Sequence, residues 1–398
     1  IAERSEEYFL EKLDERVAGQ HAKQVARERK KPGFRSQTPL EIRVKLQQSM
    51  PISGRDLCVF IGLLVARTIC PNKEKLQHHW KTTDEGAVPR GCFGRFMTRD
   101  RFAHVARNLH FSSNTDPRAA TDRAWKLRPV IEALQETFLS GPPPVMAFDE
   151  AMLPSRSSFN RMRVYMKDKP HKYGTKLFML CCSYSAYCIR FEAYLGKAGT
   201  VDGVALRDER TGPVAVVRNL RAAFGDQRSQ HMRLIVMDRF YTSIPLAMEL
   251  LTMGYYSVGT VMTGRKGLAA QIVPDKKKKK KKQSRPKEID RGTFTFAEST
   301  LVPGMTTTKW WDNRPVYLLA TGGSTELDRV VRRAKTGIQE EVACPRLLKD
   351  YQTYMGGVDV HDQLRLQRLV LMSIIMYYPG LPVANRVSYT LLLGTRFS

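Results

Sequence analysis

The chain has 398 residues, with 65 Lys plus Arg against 39 Asp plus Glu, a formal charge of +26 at pH 7. A 42% hydrophobic fraction with 17 Phe, 15 Tyr and 4 Trp supplies a core and excludes global disorder, and at roughly 100–200 residues per domain the length implies two or three folded units. The charge is too basic for an ordinary soluble enzyme and argues for a polyanionic partner, nucleic acid first, because each Lys or Arg set against a phosphate releases a condensed counterion.

The longest apolar stretches, Phe60–Ala66 and Leu369–Tyr378, fall well short of the roughly 18 residues that cross a bilayer, so no membrane span is expected. Residue 1 is Ile and the first twenty residues are charged. No signal peptide is expected, and the start is read as an internal boundary of a longer chain. The seven cysteines form no CxxC pair, which implies a reducing compartment and no structural zinc.

Residues 1–50 are polar and basic around Lys23, Arg27, Arg29, Lys30, Lys31 and Arg35, with Pro32 and Gly33 interrupting any helix; they are expected to form an arm or linker. From 51 to 141 the pattern is helical. Leu57, Phe60, Ile61, Leu64 and Val65 follow i, i+3, i+4, i+7, i+8 spacing, Val130, Leu134 and Phe138 repeat it, and Gly141-Pro142-Pro143-Pro144 stops it.

The period then changes. Val145–Ala151, Lys176–Ser183 and Cys188–Tyr194 read as strands, Val214–Phe224 as a helix, Leu234–Met237 as a buried strand, Ile244–Met253 as a helix and Tyr256–Val261 as a strand. This β-β-β-α-β-α-β order over 142–263 defines an α/β unit. Residues 264–343 read as an insertion, with the polylysine run Lys276–Lys282 solvated and small hairpins around Phe294, Phe296, Trp310, Trp311 and Val316–Leu318. Adjacent tryptophans could stack on bases, although a small hairpin core is the commoner use. From 344 onward the chain is helical again, through Leu347, Leu348, Gly356-Gly357 and Asp359-x-x-Asp362.

A right-handed crossover would lay the fourth strand parallel to the first and beside it. Asp149 at the end of one and Asp238 at the end of the other then project from the same sheet edge. Carboxylates so close repel and need a compensating cation, and a divalent ion such as Mg²⁺ suits them. Asp359 is the candidate third acid, with Asp362 one helical turn further and Gly356-Gly357 permitting close approach to the sheet. Two Mg²⁺ ions in such a site would serve phosphoryl transfer on a nucleic-acid backbone. Each acid by itself is more commonly a turn former or cap, and it is their coincidence in the topology that points to chemistry. Glu150 and Asp202 read as ion-pair or solvent residues, His78, His79 and His110 as packing or capping groups, and Cys181 and Cys182 as core thiols. No GxxxxGK[ST] loop is present.

Five segments, in order, closely resemble the piggyBac transposase family: Phe148-Asp149-Glu150-Ala151-Met152, Lys169 to Phe178, Asp238 to Leu246, Gly259-Thr260-Val261, and Met355 to Gln363. Leu109-His110-Phe111 and Asp122 to Pro129 resemble the helical region ahead of its catalytic core. The resemblance implies an RNase H-like mixed sheet, with an α-helical N-terminal domain and a small β-containing insertion, that performs Mg²⁺-dependent cut-and-paste transposition into TTAA sites. It implies Asp149, Asp238 and Asp359 as the catalytic acids and metal ligands, with Asp362 as a further ligand. Lys169, His171 and Lys172 fall in a segment that looks like a DNA-contacting loop. Arg239 stands where the family usually has Asn, as a cation beside Asp238 that could pair with phosphate. After Leu366 the sequence departs from the family, with the apolar stretch Leu369–Tyr378 followed by Pro379-Gly380. Double-stranded DNA, a homodimer and a nuclear location follow as expectations, with a transposase-derived DNA-binding protein that no longer cuts as the alternative.

Overall fold

The structure, a computed structural model, describes residues 1–69, 76–84, 86, 89–138, 141–157, 160, 162–167, 169–196, 200–201, 204–205, 212–273, 284–333 and 337–367. The polylysine run, Asp202 and the Leu369–Tyr378 stretch lie outside them. The chain divides into two compact units, one on Ile1–Leu134 and one on 135–154 and 162–364.

The first unit is helical: α1 (Ala2–Glu11), α2 (Leu13–Glu28), α3 (Pro39–Gln47), α4 (Gly54–Ile69), α5 (Arg99–Asn108) and α6 (Arg128–Glu136), with short 3-10 turns between α4 and α6. The first fifty residues are therefore not a linker. Phe9, Leu13 and Val17 recur every fourth residue and meet Ile42 in a small core, with the Arg16 guanidinium lying over the Phe9 ring at 5.5 Å. Pro32 and Gly33 do interrupt the helices, between α2 and α3. The α3 helix restarts on a capping box, Thr38 accepting from the Glu41 N–H and Glu41 accepting from the Thr38 N–H. High charge in this stretch hid a narrow apolar stripe.

Further along, Leu57, Phe60 and Leu64 of α4 are buried as their spacing requires, and Phe60 meets Phe102 of α5 at a ring separation of 4.6 Å. Arg101 pairs with Asp56 at 2.8 Å, holding that carboxyl well below the usual range. His110 stacks on Tyr8 at 4.2 Å and His79 on Phe93 at 4.3 Å, the packing roles expected of them.

The second unit is built on a sheet. Its elements are β1 (Val145–Pro154), β2 (Arg163–Tyr165), β3 (Tyr173–Cys182), β4 (Cys188–Ala193), the short pair β5 (Thr200–Val201) and β6 (Val204–Ala205), α7 (Pro213–Phe224), β7 (Arg233–Met237), α8 (Ile244–Thr252) and β8 (Tyr255–Thr260). After these come β9 (Phe294–Glu298), β10 (Met305–Trp311), β11 (Pro315–Thr321), β12 (Leu327–Arg333), β13 (Gln339–Pro345), α9 (Arg346–Tyr354) and α10 (Gly357–Gln367). Among the described residues the main sheet has nine strands in the order β2-β3-β1-β7-β8-β11-β10-β9, with β4 also pairing β3. Strand β1 runs antiparallel to β3 and parallel to β7, and β7 runs parallel to β8.

The stretch read as an insertion of small hairpins behaves differently. β11 pairs antiparallel with β8, so β9–β11 prolong the main sheet, and only β12–β13 stand apart as a hairpin. A strand edge left open at β8 presents unpaired backbone groups, and β11 satisfies them. Trp310 is wholly buried in a cluster with Leu318, Val330, Val342 and Leu347, and its indole N–H donates to the Ala343 carbonyl at 2.8 Å. Both tryptophans are packing groups.

Strand alternation sorts β1 into two faces. Met146 and Phe148 join Phe178, Ile235, Met237 and Tyr241 under α7 and α8. Val145 joins Val236, Val258 and Ala320 on the other face, against Tyr351, Tyr354 and Met355 of α9 and its end. A Cβ on Gly259 of β8 would lie 2.5 Å from the Met237 carbonyl oxygen and 2.2 Å from Thr242 Oγ1. Gly259→Ala is therefore expected to cost about 1–3 kcal/mol by overpacking, read as a lower urea midpoint in equilibrium unfolding.

Candidate active site

The parallel register of β1 and β7 runs from Val145↔Leu234 to Phe148↔Met237 and stops there. Asp149 and Asp238 are each the next residue. Asp149 is not at the end of its strand as the sequence implied. β1 continues to Pro154, paired with β3 alone, because Ala151–Leu153 are apolar and buried opposite Leu177–Thr175. It is β7 that ends, with Asp238 the first residue beyond it, next to Asp149 in the register.

Asp238 turns the chain out of β7. Its carboxylate accepts the Phe240 N–H at 2.8 Å and its carbonyl accepts the Thr242 hydroxyl at 2.8 Å. It serves as a turn former and as a member of the acidic pair. Asp149 has the parity of Val145 and Ala147 and so faces the α9–α10 side. Burial first, then the neighbouring Glu150 charge and, to a lesser degree, Asp238 push its carboxyl up to about 7, against a hydrogen bond from the Glu150 backbone and the pull of Lys169. Burial likewise raises Asp238.

Asp359 and Asp362 lie one turn apart on α10. The helix comes close because Gly357 has no side chain: a Cβ there would sit 3.1 Å from the Cys182 carbonyl oxygen and 3.2 Å from Ala147 Cβ. Of the two glycines only Gly357 makes this approach, since nothing lies within 4 Å of a Cβ on Gly356. His361, buried, sets its Nδ1 3.0 Å from the Ala186 carbonyl at the β3–β4 turn and fixes the helix from the same side. Asp359 is exposed and Asp362 is buried.

The basic residues separate. Lys169, in the segment between β2 and β3, donates from Nζ to Asp359 Oδ1 at 3.2 Å and is drawn also toward Asp149 and Asp362. His171, Lys172 and Arg239 are exposed. Among the described residues no three acidic, His or Cys side chains stand close enough together to hold a metal ion as they are.

Glu150, next to Asp149 in sequence, has the opposite parity. The Tyr241 hydroxyl donates to its Oε2 at 2.6 Å and Lys176 Nζ lies 3.7 Å away, the ion-pair role the sequence suggested. Sequence reasoning did not single out Tyr241 and Lys176. The alternation of β1, which sends Glu150 away from Asp149, was the signal that could have located them. Tyr351 of α9, with its hydroxyl 3.4 Å from Thr260 Oγ1, is a second unforeseen neighbour.

The fold is a mixed sheet flanked by helices, with Asp149 and Asp238 at adjoining positions where two parallel strands part, and the comparisons give its family. The family model described as Transposase IS4 matches residues 6–370. Human PiggyBac transposable element-derived protein 3 is 29% identical over 280 residues, covering 67% of this chain and 42% of that protein. The human Chimeric ERCC6-PGBD3 protein is also 29% identical over 280 residues, covering 67% of this chain and 24% of that protein. The chain thus spans less than half the length of these relatives. A cryo-EM structure of a piggyBac transposase synaptic complex with hairpin DNA shares the fold, with a TM-score of 0.60 at 20% identity, covering 97% of this chain and 72% of that one. The chain belongs to this transposase family, in its piggyBac group.

The displaced carboxyl of Asp149 has a consequence for stability. Its folded-state pKa lies above the ordinary carboxylate value, so its contribution is greatest at low pH and is lost as pH rises toward about 7. Without added divalent ions, the melting temperature of wild type is expected to fall across that interval. Asp149→Asn is expected to flatten that part of the profile and to be the more stable protein at pH 8, as differential scanning calorimetry would record.

Proposed function

We propose that this chain carries the catalytic part of a piggyBac-type DNA transposase, a DDD-type enzyme that cuts double-stranded DNA at transposon ends and joins it into TTAA sites. The observation that carries this reading is the termination of the β1–β7 parallel pair with Asp149 and Asp238 at adjoining positions, and α10 bringing Asp359 toward the same face. Antiparallel β4, β3 and β1 followed by parallel β7 and β8 support an RNase H-like core.

The donor chemistry fits Mg²⁺. Every candidate ligand is a carboxylate, and the uncompensated charge that drives Asp149 toward its neutral form is what a hard divalent cation would relieve. Asp149, Asp238 and Asp359 would hold the ions, with Asp362 as a further ligand. Two bound Mg²⁺ would supply a lowered pKa for the attacking water or 3′-hydroxyl and charge stabilisation for the leaving oxygen.

The chain's own residues bind and orient the substrate. Exposed His171, Lys172 and Arg239 would meet backbone phosphates beside the acids, with Lys169 in the same segment, and such contacts set position without reading sequence. The apolar walls behind Asp149, from Ala147 and Gly357, exclude water on one side. Tyr241 and Lys176 engage the Glu150 carboxylate on the far face, and its charge is still felt by Asp149 and Asp238. Two DNA ends must be brought together, which calls for a homodimer, and the substrate calls for a nuclear location.

A second reading, a transposase-derived DNA-binding protein that no longer cuts, is favoured by one observation: Asp359 is engaged by Lys169 and no ready-made trio of ligands stands among the described residues. Cleavage and joining by the full chain on TTAA-flanked DNA with Mg²⁺ separates the two. Under the first reading Asp149→Ala is expected to lower both rates about a thousandfold or more, and EDTA to abolish them, with salt-sensitive DNA binding retained. Tight binding with no cutting by wild type would establish the second. Under either, Lys172→Ala is expected to weaken binding to all sequences alike and to reduce the slope of log K against log salt by about 1, measured by fluorescence anisotropy.

A further inference from the structure

Lys169 occupies a place in the acidic cluster unlike that of its neighbours His171 and Lys172. Its ammonium contacts Asp359 at 3.2 Å and is attracted also by the Asp149 and Asp362 charges. It is well shielded, 18% exposed, while Asp359 is 59% exposed. A hydrogen bond from the Met166 N–H to the Lys172 carbonyl at 2.8 Å ties residues on either side of Lys169. From there it pairs with Asp359 of α10 and feels the charge of Asp149 on β1. Asp238 has Arg239 as its cationic neighbour.

We propose that Lys169 is an internal counter-cation of the acidic cluster, holding Asp149 and Asp359 together in the metal-free protein and yielding them to a divalent ion. The inference rests on the reading of those acids as metal ligands given above. A lysine suits the task for three reasons. Its charge is compact and sits on a flexible four-carbon stem, so it can withdraw without moving the backbone. One ammonium among several carboxylates leaves the cluster net negative, so an incoming cation is still attracted. And a half-buried carboxylate deprived of its partner is costly, so the acids need an occupant whenever metal is absent. The same contact accounts for the absence of a ready-made ligand trio: Asp359 is held on the ammonium and not gathered toward Asp238.

The test uses the full chain and Mn²⁺ alone as the probe, by isothermal titration and by the EPR signal of free Mn²⁺. Lys169→Met is expected to bind Mn²⁺ about tenfold or more tighter than wild type, since the ion no longer displaces an ammonium. In EDTA the same variant is expected to melt below wild type and to regain the difference when Mn²⁺ is added. Lys169→Arg, which keeps the charge and the pairing, is expected to bind Mn²⁺ no more tightly than wild type and to melt with it. Unchanged or weaker Mn²⁺ binding by Lys169→Met would overturn the inference. Should that variant not fold, equal or tighter Mn²⁺ binding by Lys169→Gln against wild type decides in the same way, equal refuting and tighter supporting. Asp149→Asn separates this failure from failure of the wider reading: Mn²⁺ binding that depends on Asp149 but not on Lys169 sinks the counter-cation alone, whereas binding indifferent to Asp149 and Asp359 sinks the metal-site reading and the counter-cation with it.

Discussion

The side-by-side placement of Asp149 and Asp238 is the constraint around which the sheet unit is arranged. Two parallel strands, paired from Val145↔Leu234 to Phe148↔Met237, place these residues at adjoining positions, and burial raises the pKa of each. Charges of one sign in poorly solvating surroundings raise each other's energy. A protein that keeps such a pair has to supply counter-charge, hydrogen bonds or a means of protonation, and each of these is present. Asp238 takes a backbone N–H from the turn it initiates, Lys169 reaches in from the β2–β3 segment, and Asp149 is driven toward its neutral form.

The neighbouring architecture ties down a further charge that both carboxylates feel. Glu150 follows Asp149 directly, yet strand alternation carries it to the opposite face, where Tyr241 and Lys176 engage it. Tyr241 belongs to the same apolar cluster as Phe148 and Met237, so the group that restrains Glu150 is itself fixed by the core beneath the pair. On the other face Gly357 lets α10 approach Ala147, and His361 secures it at the β3–β4 turn. The site is thus a product of sheet register on one side and of helix approach on the other, with little contributed by loops except for Lys169.

Several of these features were legible in the residues. Apolar runs ahead of Asp149 and Asp238, joined by an alternation of strand and helix signals, were enough to place the strands as neighbours, since crossover connections admit few arrangements. The Gly356-Gly357 pair announced a close approach, although spacing alone did not say that Gly357 makes it. Other features were concealed for physical reasons. In residues 1–50 the basic composition masked an apolar stripe of three residues, which only becomes a core once Ile42 is brought against it. The strands from 294 to 321 looked local because hairpin patterning carries no sign of which edge it will meet, and β8 was that edge. Lys169 read as one of several basic residues in a segment that resembles a DNA-contacting loop, since charge type in a sequence does not tell which way a side chain turns.

The sequence by itself determined the class of fold, the three acids worth examining, the basic character that points to nucleic acid, and the family. These depend on composition, period and motif, properties carried by residues close together along the chain. Only the tertiary structure decided that β7 stops where β1 goes on, that Glu150 is turned away from Asp149, and that the Lys169 ammonium meets Asp359. Those outcomes are set by strand register, side-chain parity and the balance of charge in a shielded volume, which exist only after distant segments have come together.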